Sequence, residues 1–276
     1  MTVAEALAQA SSKLGAAAVD TPSVDAEWLL SDVLGCTRTD LELERSRELS
    51  PDEQQRFAAV LERRIRREPL AYVLGEWGFR RLTLLIDARA LVPRPETEIV
   101  VERCLELIDP LAHPRVLDVG VGSGAIALSI AVEHTGARVV GVDSSQAALD
   151  LAEQNRERVG IDGRVRLLRG DLLAGRRGPF DLVVSNPPYV RPEDWERLQP
   201  EIRLYEPRAA LVGSNVAETI ARDAQPALAP GGWLVLEAGD GQAEELAEAL
   251  RGLRYEDVAI TCDLAGRERV VEGRRA

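Results

Sequence analysis

Apolar and polar positions follow two different patterns on either side of about residue 115. Before it, apolar residues recur three and four positions apart, as Phe57, Val60 and Leu61 do, which places them on one face of a helix. No strand pattern interrupts residues 1 to about 70. Ser50-Pro51-Asp52-Glu53 is a capping box with proline at the first helical position. The pattern predicts a small helical bundle with helices over 3–14, 21–35, 39–47 and 50–68.

A connector with mixed signals follows the helices. Gly75, Gly78 and the stretch 79–86 predict a β-hairpin or an extended linker. Pro93 and Pro95 then hold the chain extended until a helix begins at about residue 96 or 97 and runs to about 107. Two charged residues of this stiff segment, Arg94 and Glu96, suit either a solvated hinge or the wall of a site, and the sequence leaves both interpretations open.

From residue 115 onward, predicted strands alternate with predicted helices. Short apolar runs bounded by turn residues are typical of strands buried on both faces. Alternation with helices favours a mainly parallel sheet that carries helices on both faces. The predicted strands cover 116–119, 138–142, 165–168, 180–185, 233–237, 255–261 and 268–272, and the helices between them cover 125–133, 145–158, 216–228 and 243–250.

A glycine loop joins the first of these strands to its helix. Glycines permit a tight turn and close approach of a ligand to the backbone. The spacing is G-x-G-x-G rather than the G-x-G-x-x-G of dinucleotide sites, and it resembles the loop that binds S-adenosylmethionine in class I methyltransferases. Asp143, at the end of the next strand, can accept two ribose hydroxyls, and Asp171 or its neighbours can reach an adenine amino group. The candidate cofactor-binding residues are Gly120, Val121, Gly122, Ser123, Gly124, Asp143, Asp171, Leu172 and Asn186.

The segment Asn-Pro-Pro-Tyr at 186–189 follows the buried strand 180–185. Two successive prolines make it stiff and extended, at the strand end where open α/β sheets place ligands. The side-chain oxygen of Asn186 and a nearby main-chain carbonyl can accept both hydrogens of a planar NH₂ group, while Tyr189 covers its plane. The alternative is a proline turn that merely ends the strand. The candidate catalytic and substrate-binding residues are Asn186, Pro187, Pro188 and Tyr189.

Composition narrows the function and the compartment. The formal net charge of −12 and the pI near 4.9 weigh against a nucleic-acid substrate. The basic run 63–67 suits either the solvated end of a helix or a face for an acidic protein or RNA. No apolar run is long enough to span a membrane, the N-terminus lacks secretory features, and three widely separated cysteines suit a reducing environment. We therefore expect a cytoplasmic protein, and neither His113 nor His134 has metal-ligand spacing, so no metal site is predicted.

Together these motifs resemble one family over essentially the whole chain, the bacterial release-factor glutamine N5-methyltransferases (PrmC/HemK-like). Two departures are Val121, where the family commonly has Thr, and Leu172, where an aromatic residue is frequent. The resemblance implies S-adenosylmethionine as cofactor and, as substrate, the Gln of a Gly-Gly-Gln loop in peptide-chain release factors. The motifs that carry it lie at 91–98, 117–128, 141–145, 185–189, 205–207 and 231–232.

The resemblance also implies a domain plan: a helical substrate-docking domain over 1–75, a hairpin or linker over 76–90, and a catalytic domain over 91–276. The expected fold is a class I methyltransferase, Rossmann-like with seven mainly parallel strands, behind a small helical bundle. Asn186 and the Pro187 carbonyl would accept the two amide hydrogens of the substrate. Two rival functions remain, an adenine-N6 or guanine-N2 nucleic-acid methyltransferase and a non-catalytic, cofactor-binding adaptor of a translation factor.

Overall fold

The structure is a computed structural model that describes residues 1–161, 163–173, 175 and 178–276. The chain divides into two compact units, one of residues 1–76 with 199–205 and one of residues 77–198 with 206–276. In chain order the helices and strands are α1 (Val3–Ala16), α2 (Pro22–Leu34), α3 (Arg38–Leu43), α4 (Pro51–Ile65), α5 (Leu70–Leu74), β1 (Glu76–Phe79), β2 (Leu82–Leu85), α6 (Thr97–Ile108), β3 (Arg115–Val119), α7 (Ala125–Glu133), β4 (Arg138–Asp143), α8 (Gln146–Val159), β5 (Val165–Arg169), β6 (Phe180–Ser185), α9 (Pro200–Tyr205), α10 (Val216–Ala224), β7 (Leu228–Glu237), α11 (Ala243–Gly252), β8 (Tyr255–Cys262) and β9 (Glu268–Arg275).

The first unit is the predicted helical bundle, although several helix ends differ from the predicted ones, as in α3, which ends at Leu43 rather than at residue 47. The capping box of α4 forms as predicted, because Ser50 Oγ accepts from Glu53 N while the Glu53 carboxylate accepts from Ser50 N. The helix ends at Ile65 rather than at residue 68, and Arg67 takes a positive φ of 66°. A further short helix, α5, was not predicted. Leucines of α1 and α2 and Phe57 of α4 share the core of this unit.

The basic run of this unit is largely paired within the unit. Arg64 is buried, and its Nε and Nη1 donate to Asp25 Oδ2 at 2.7 Å and to Glu201 Oε1 at 2.8 Å. Arg67 Nη2 donates to the other Glu201 oxygen at 2.5 Å, and Arg63 pairs with Glu68. The interpretation of this run as a solvated helix end is therefore wrong for Arg64, which is a buried partner of two carboxylates.

The second unit is built on a seven-stranded sheet in the order β5-β4-β3-β6-β7-β9-β8. The first five of these strands are parallel, whereas β9 runs antiparallel to both β7 and β8. The expected mainly parallel sheet is thus confirmed. The strand order reverses between β3 and its neighbour β6, so that the ends of these two strands meet at Val119 and Ser185. Such a switch point is where open α/β sheets bind ligands.

Several local elements differ from the predicted ones. Strand β7 begins at Leu228, five residues before the predicted start, and its pairing with β6 is irregular between Phe180 and Leu182. The Pro-Gly-Gly of 230–232 lies in that irregular part, where an interrupted ladder tolerates proline. Helix α9 and two 3-10 helices, Pro192–Arg197 and Arg208–Ala210, were not predicted. Among the described residues, no helix is both long and apolar enough to cross a membrane.

Candidate active site

The glycine loop leaves the end of β3 as a tight turn. Gly120, Gly122 and Gly124 have φ angles of 77°, 54° and 89°, a region that glycine adopts without strain. The backbone N–H groups of Gly120 and Val121 donate to the Val142 carbonyl at 2.8 and 3.0 Å, which fastens the loop to β4. A side chain at Gly124 would in addition lie 2.9 Å from Leu128. Glycine is therefore required here by the backbone itself.

Asp143 ends β4 beside this loop. One oxygen of its carboxylate accepts from Gly122 N and the other from Ser145 N, each at 2.9 Å. The side chain is half-buried, so each oxygen keeps a lone pair for a further donor. The carboxylate thus shapes the loop and remains available to hydroxyl groups of a ligand.

A cavity of about 430 Å³ lies along the carboxyl ends of the parallel strands. This volume falls within the range of about 300–1,000 Å³ that is usual for small-molecule sites. Two of the predicted site residues, Gly124 and Tyr189, do not line it. The predicted residues that do are Gly120, Val121, Gly122, Ser123, Asp143, Asp171, Leu172, Asn186, Pro187 and Pro188.

At one part of the cavity wall, Asp171 and Leu172 follow β5. Asp171 is exposed, whereas Leu172 is half-buried and has a positive φ of 45°, which is unusual for a residue with a bulky side chain. An apolar side chain at this position, where the family frequently has an aromatic residue, still allows packing against an adenine. An apolar wall, a half-exposed carboxylate and a glycine-lined loop fit the adenine, ribose and amino-acid parts of S-adenosylmethionine.

Behind Asn186 lies a chain of polar side chains that sequence reasoning missed. Asn186 Nδ2 donates to Thr97 Oγ1 at 3.2 Å, and Thr97 Oγ1 donates to Glu237 Oε2 at 2.7 Å. Thr97 and Glu237 are 4 % and 2 % exposed. Glu237 is the last residue of β7. Its place at the end of a predicted strand is the signal in the sequence that could have identified it as a residue of this edge of the sheet.

Burial changes the acidity of this polar chain. It raises the pKa of Glu237 to about 7, against the opposing effects of the Thr97 hydrogen bond and the positive charge of Arg269. Burial also raises the pKa of Tyr189 to about 12, and the Glu237 carboxylate adds to the shift. Both groups therefore favour their neutral forms more than they would in water.

Tyr189 does not line the main cavity. Its hydroxyl is 3.5 Å from Glu237 Oε1, a long hydrogen bond, and Gln242 Nε2 donates to its main-chain carbonyl at 3.1 Å. The side chain lines a neighbouring cavity of about 280 Å³ that Pro187 and Glu237 also line. Packing of Tyr189 against a substrate amide stays a prediction.

Arg94 belongs to the wall of the main cavity, one of the two interpretations that the sequence left open. Its Nη2 donates to Glu206 Oε1 at 2.5 Å, and the other oxygen of Glu206 accepts from Val92 N at 3.3 Å. Burial raises the pKa of Glu206, and the Arg94 charge opposes that effect. These two contacts hold the stiff segment 93–95 against Glu206, the middle residue of the motif at 205–207.

Asp118, directly before the glycine loop, is fully buried. Its Oδ2 accepts from Ala127 N at 3.0 Å, which satisfies a donor in the first turn of α7. Its Oδ1 has no hydrogen-bond partner among the described residues. Burial raises the pKa of Asp118 to about 7, with a further contribution from the Asp143 charge.

Comparison with solved structures shows the fold. A methyltransferase of Pyrococcus furiosus matches with a TM-score of 0.51 and 18 % identity, covering 71 % of this chain and 90 % of its own. A 16S rRNA methyltransferase of T. thermophilus, solved with AdoMet and guanosine, matches with a TM-score of 0.53 and 20 % identity over 73 % of this chain and 50 % of its own. The expected class I methyltransferase fold is confirmed.

Comparison with sequences shows the family. Residues 5–75 match the PrmC N-terminal domain, and residues 97–200 match the methyltransferase small domain. A release factor glutamine methyltransferase of Deinococcus radiodurans is 44 % identical over all of this chain and 99 % of its own length. One of Caulobacter vibrioides is 37 % identical over 99 % of this chain and 96 % of its own. The chain therefore belongs to the family of release factor glutamine methyltransferases.

Proposed function

We propose that this protein transfers the methyl group of S-adenosylmethionine to the side-chain amide nitrogen (N5) of the Gln in the Gly-Gly-Gln motif of peptide-chain release factors. Family membership confirms the predicted enzyme class and cofactor. The observation that carries the proposal is that the glycine loop and Asn186 line one cavity. A methyl donor on the loop and an amide held by Asn186 would therefore lie side by side.

The residues around the loop are suited to hold the cofactor. S-adenosylmethionine supplies an electrophilic methyl group on a sulfonium. The open backbone at Gly120 and Gly122 would admit the amino-acid part of this cofactor, and the Asp143 carboxylate would accept the ribose hydroxyls. Leu172 would pack against the adenine, and Asp171 or its main chain would accept from the adenine amino group.

Asn186 and Pro187 act on the substrate. An amide nitrogen is a poor nucleophile because its lone pair is delocalised into the carbonyl, so positioning must supply most of the rate. Asn186 Oδ1 and the Pro187 carbonyl accept the two N–H groups, and these fixed acceptors stabilise the positive charge that develops on the nitrogen. Transfer would form the N–C bond as the S–C bond of the sulfonium breaks, S-adenosylhomocysteine would be the leaving group, and one N–H proton of the amide would be released to water.

The helical unit is the proposed docking site for the release factor. Its cationic residues Arg63, Arg64 and Arg67 are paired inside the unit, so they are not free to form a basic face for RNA. The net charge of −12 also disfavours a nucleic-acid substrate. Retention on heparin at moderate salt would favour that alternative.

The test is methyl transfer from labelled S-adenosylmethionine to purified release factor, with a Gln→Ala change in the Gly-Gly-Gln loop as control. We expect label on the wild-type factor and none on the changed one. Label on both factors would place the methyl group on another residue. Tight binding of the factor without any label would support a non-catalytic adaptor instead.

A further inference from the structure

Asn186 can serve as an acceptor only if its side-chain amide is turned the right way. An asparagine amide presents an oxygen on one side and an NH₂ group on the other, and a rotation of 180° exchanges them. With the NH₂ group toward the cavity, Asn186 would repel the N–H groups of a substrate amide. Some feature of the protein must therefore fix the orientation.

The Thr97 hydroxyl is that feature. A hydroxyl has one hydrogen to donate, and Thr97 donates it to the Glu237 carboxylate at 2.7 Å. Toward Asn186 it can then only accept, so the NH₂ group of Asn186 must face it, as the 3.2 Å contact from Nδ2 shows. Asn186 Oδ1 is left on the opposite side of the amide and has no hydrogen-bond partner among the described residues.

Glu237 sets this direction in its ionised form, because an ionised carboxylate only accepts hydrogen bonds. With its pKa raised to about 7 by burial, this is the prevailing form above neutral pH. It is 2 % exposed and held at the end of β7, where β9 pairs with it. The groups that surround its carboxylate are Thr97, Tyr189, Arg269 and Glu96. Thr97 and Tyr189 present hydroxyls and Arg269 a positive charge, all of which favour an accepting carboxylate, whereas Glu96 opposes it.

We propose that Glu237 and Thr97 are positioning residues that fix the side-chain amide of Asn186 with its oxygen toward the substrate, and that they thereby select glutamine over glutamate. A glutamine presents N–H groups to this oxygen, whereas the carboxylate of a glutamate presents only acceptors to it. The inference rests on the proposed function, because it takes Asn186 as the group that holds the substrate amide.

Thr97→Val is the main test, because valine keeps the shape and burial of threonine and removes only the hydroxyl. We expect kcat for release factor to fall by about 10- to 100-fold, the size of effect that misplacement of a reacting group produces. The dissociation constant of S-adenosylmethionine should change little. Thr97→Ser restores the hydroxyl and should recover most of the lost rate, whereas a merely structural role for the threonine methyl would leave it impaired.

A binding measurement separates orientation from chemistry. Release factors carrying Gly-Gly-Gln or Gly-Gly-Glu are titrated into wild-type and Thr97→Val protein with S-adenosylhomocysteine, the unreactive product. The wild-type protein should bind the Gln form more tightly by about 10-fold or more, since a carboxylate facing an acceptor leaves charged groups unpaired. Thr97→Val and Glu237→Leu should lose most of this preference, because the first removes the hydroxyl and the second removes its acceptor, so that nothing fixes the Asn186 amide.

The outcomes distinguish this inference from the proposed function. If the wild-type protein transfers no methyl group to release factor, the proposed function fails and the inference fails with it. If the wild-type protein is active and Thr97→Val keeps both its kcat and its preference for Gln, only the inference is overturned. Melting curves of the three variants identify any loss that is due to unfolding.

Discussion

The carboxylate of Asp143 accepts a hydrogen bond from the backbone N–H of Gly122 at 2.9 Å. This contact joins the end of β4 to the glycine loop that follows the neighbouring strand β3. The second oxygen of the Asp143 carboxylate accepts from Ser145 N, so the same side chain also fixes the turn into α8. Asp143 therefore has a structural role in shaping the loop in addition to the proposed contact with the ribose.

Replacing Asp143 with alanine should weaken cofactor binding. Loss of a charged acceptor costs about 1.5–3 kcal/mol, so the affinity for S-adenosylmethionine should fall by about 10- to 100-fold. Titration calorimetry measures this change directly. The control is Asp150→Ala, which removes an exposed carboxylate on α8 that accepts a hydrogen bond from Gln146 Nε2. An unchanged affinity in Asp143→Ala would contradict its role toward the ribose.

Replacing Asn186 with alanine should separate catalysis from cofactor binding. Loss of one fixed hydrogen-bonding group at the reacting centre costs a rate factor of about 100–1,000, and we expect a loss of that order in methyl transfer to release factor. The affinity for S-adenosylmethionine should stay close to that of the wild-type protein. Gln146→Ala removes an exposed side-chain amide outside the cavity and serves as the control. Near-normal transfer by Asn186→Ala would exclude the proposed mechanism.

The buried cluster of the helical unit should matter for stability. Arg64→Ala leaves Asp25 and Glu201 without their shared partner, and breaking such a buried pair costs about 3–5 kcal/mol. Urea unfolding followed by circular dichroism measures the loss. In Arg66→Ala the side chain that is removed is 69 % exposed, and the cost should be below about 1 kcal/mol. Equal losses in the two variants would show that burial of Arg64 contributes nothing.

The free energy of unfolding should depend on pH through Asp118. Its pKa is raised to about 7 in the folded protein, from an ordinary value of 3.8. Between these values the folded state keeps a proton that the unfolded state has released, so stability is greatest below pH 4 for this group and is lost as the pH rises through 7. Glu237, whose pKa is also raised to about 7, contributes with the same sign.

The variant Asp118→Asn tests this sign, because it keeps an oxygen for the Ala127 N–H and cannot ionise. Urea unfolding at pH 5, 6, 7 and 8 should show the variant gaining stability relative to the wild-type protein as the pH rises. Asp150→Asn, at an exposed position, should follow the wild-type protein at every pH. Parallel curves for Asp118→Asn and the wild-type protein would show that Asp118 does not titrate in this range.

The architecture of the second unit and the place of its site could be predicted from the sequence alone. The continuous apolar run 180–185 predicts a strand, because strands buried on both faces need apolar side chains throughout, and β6 occupies those residues. The glycine spacing predicts the tight loop, because glycine adopts the positive φ angles of that loop without strain. Since parallel strands end at one edge, the sequence also placed Asp143 and Asn186 on the same side of the sheet, and both line one cavity.

The side chains that support the site could be identified only from the folded protein. Asn186 and Thr97 are 89 residues apart, Thr97 and Glu237 are 140 apart, and Arg64 and Glu201 are 137 apart. Periodicity reports which face of an element is buried, but it does not report which distant side chain meets it there. The partners of a buried polar group are set by how the elements pack, because each such group must find its hydrogen bonds within the folded chain.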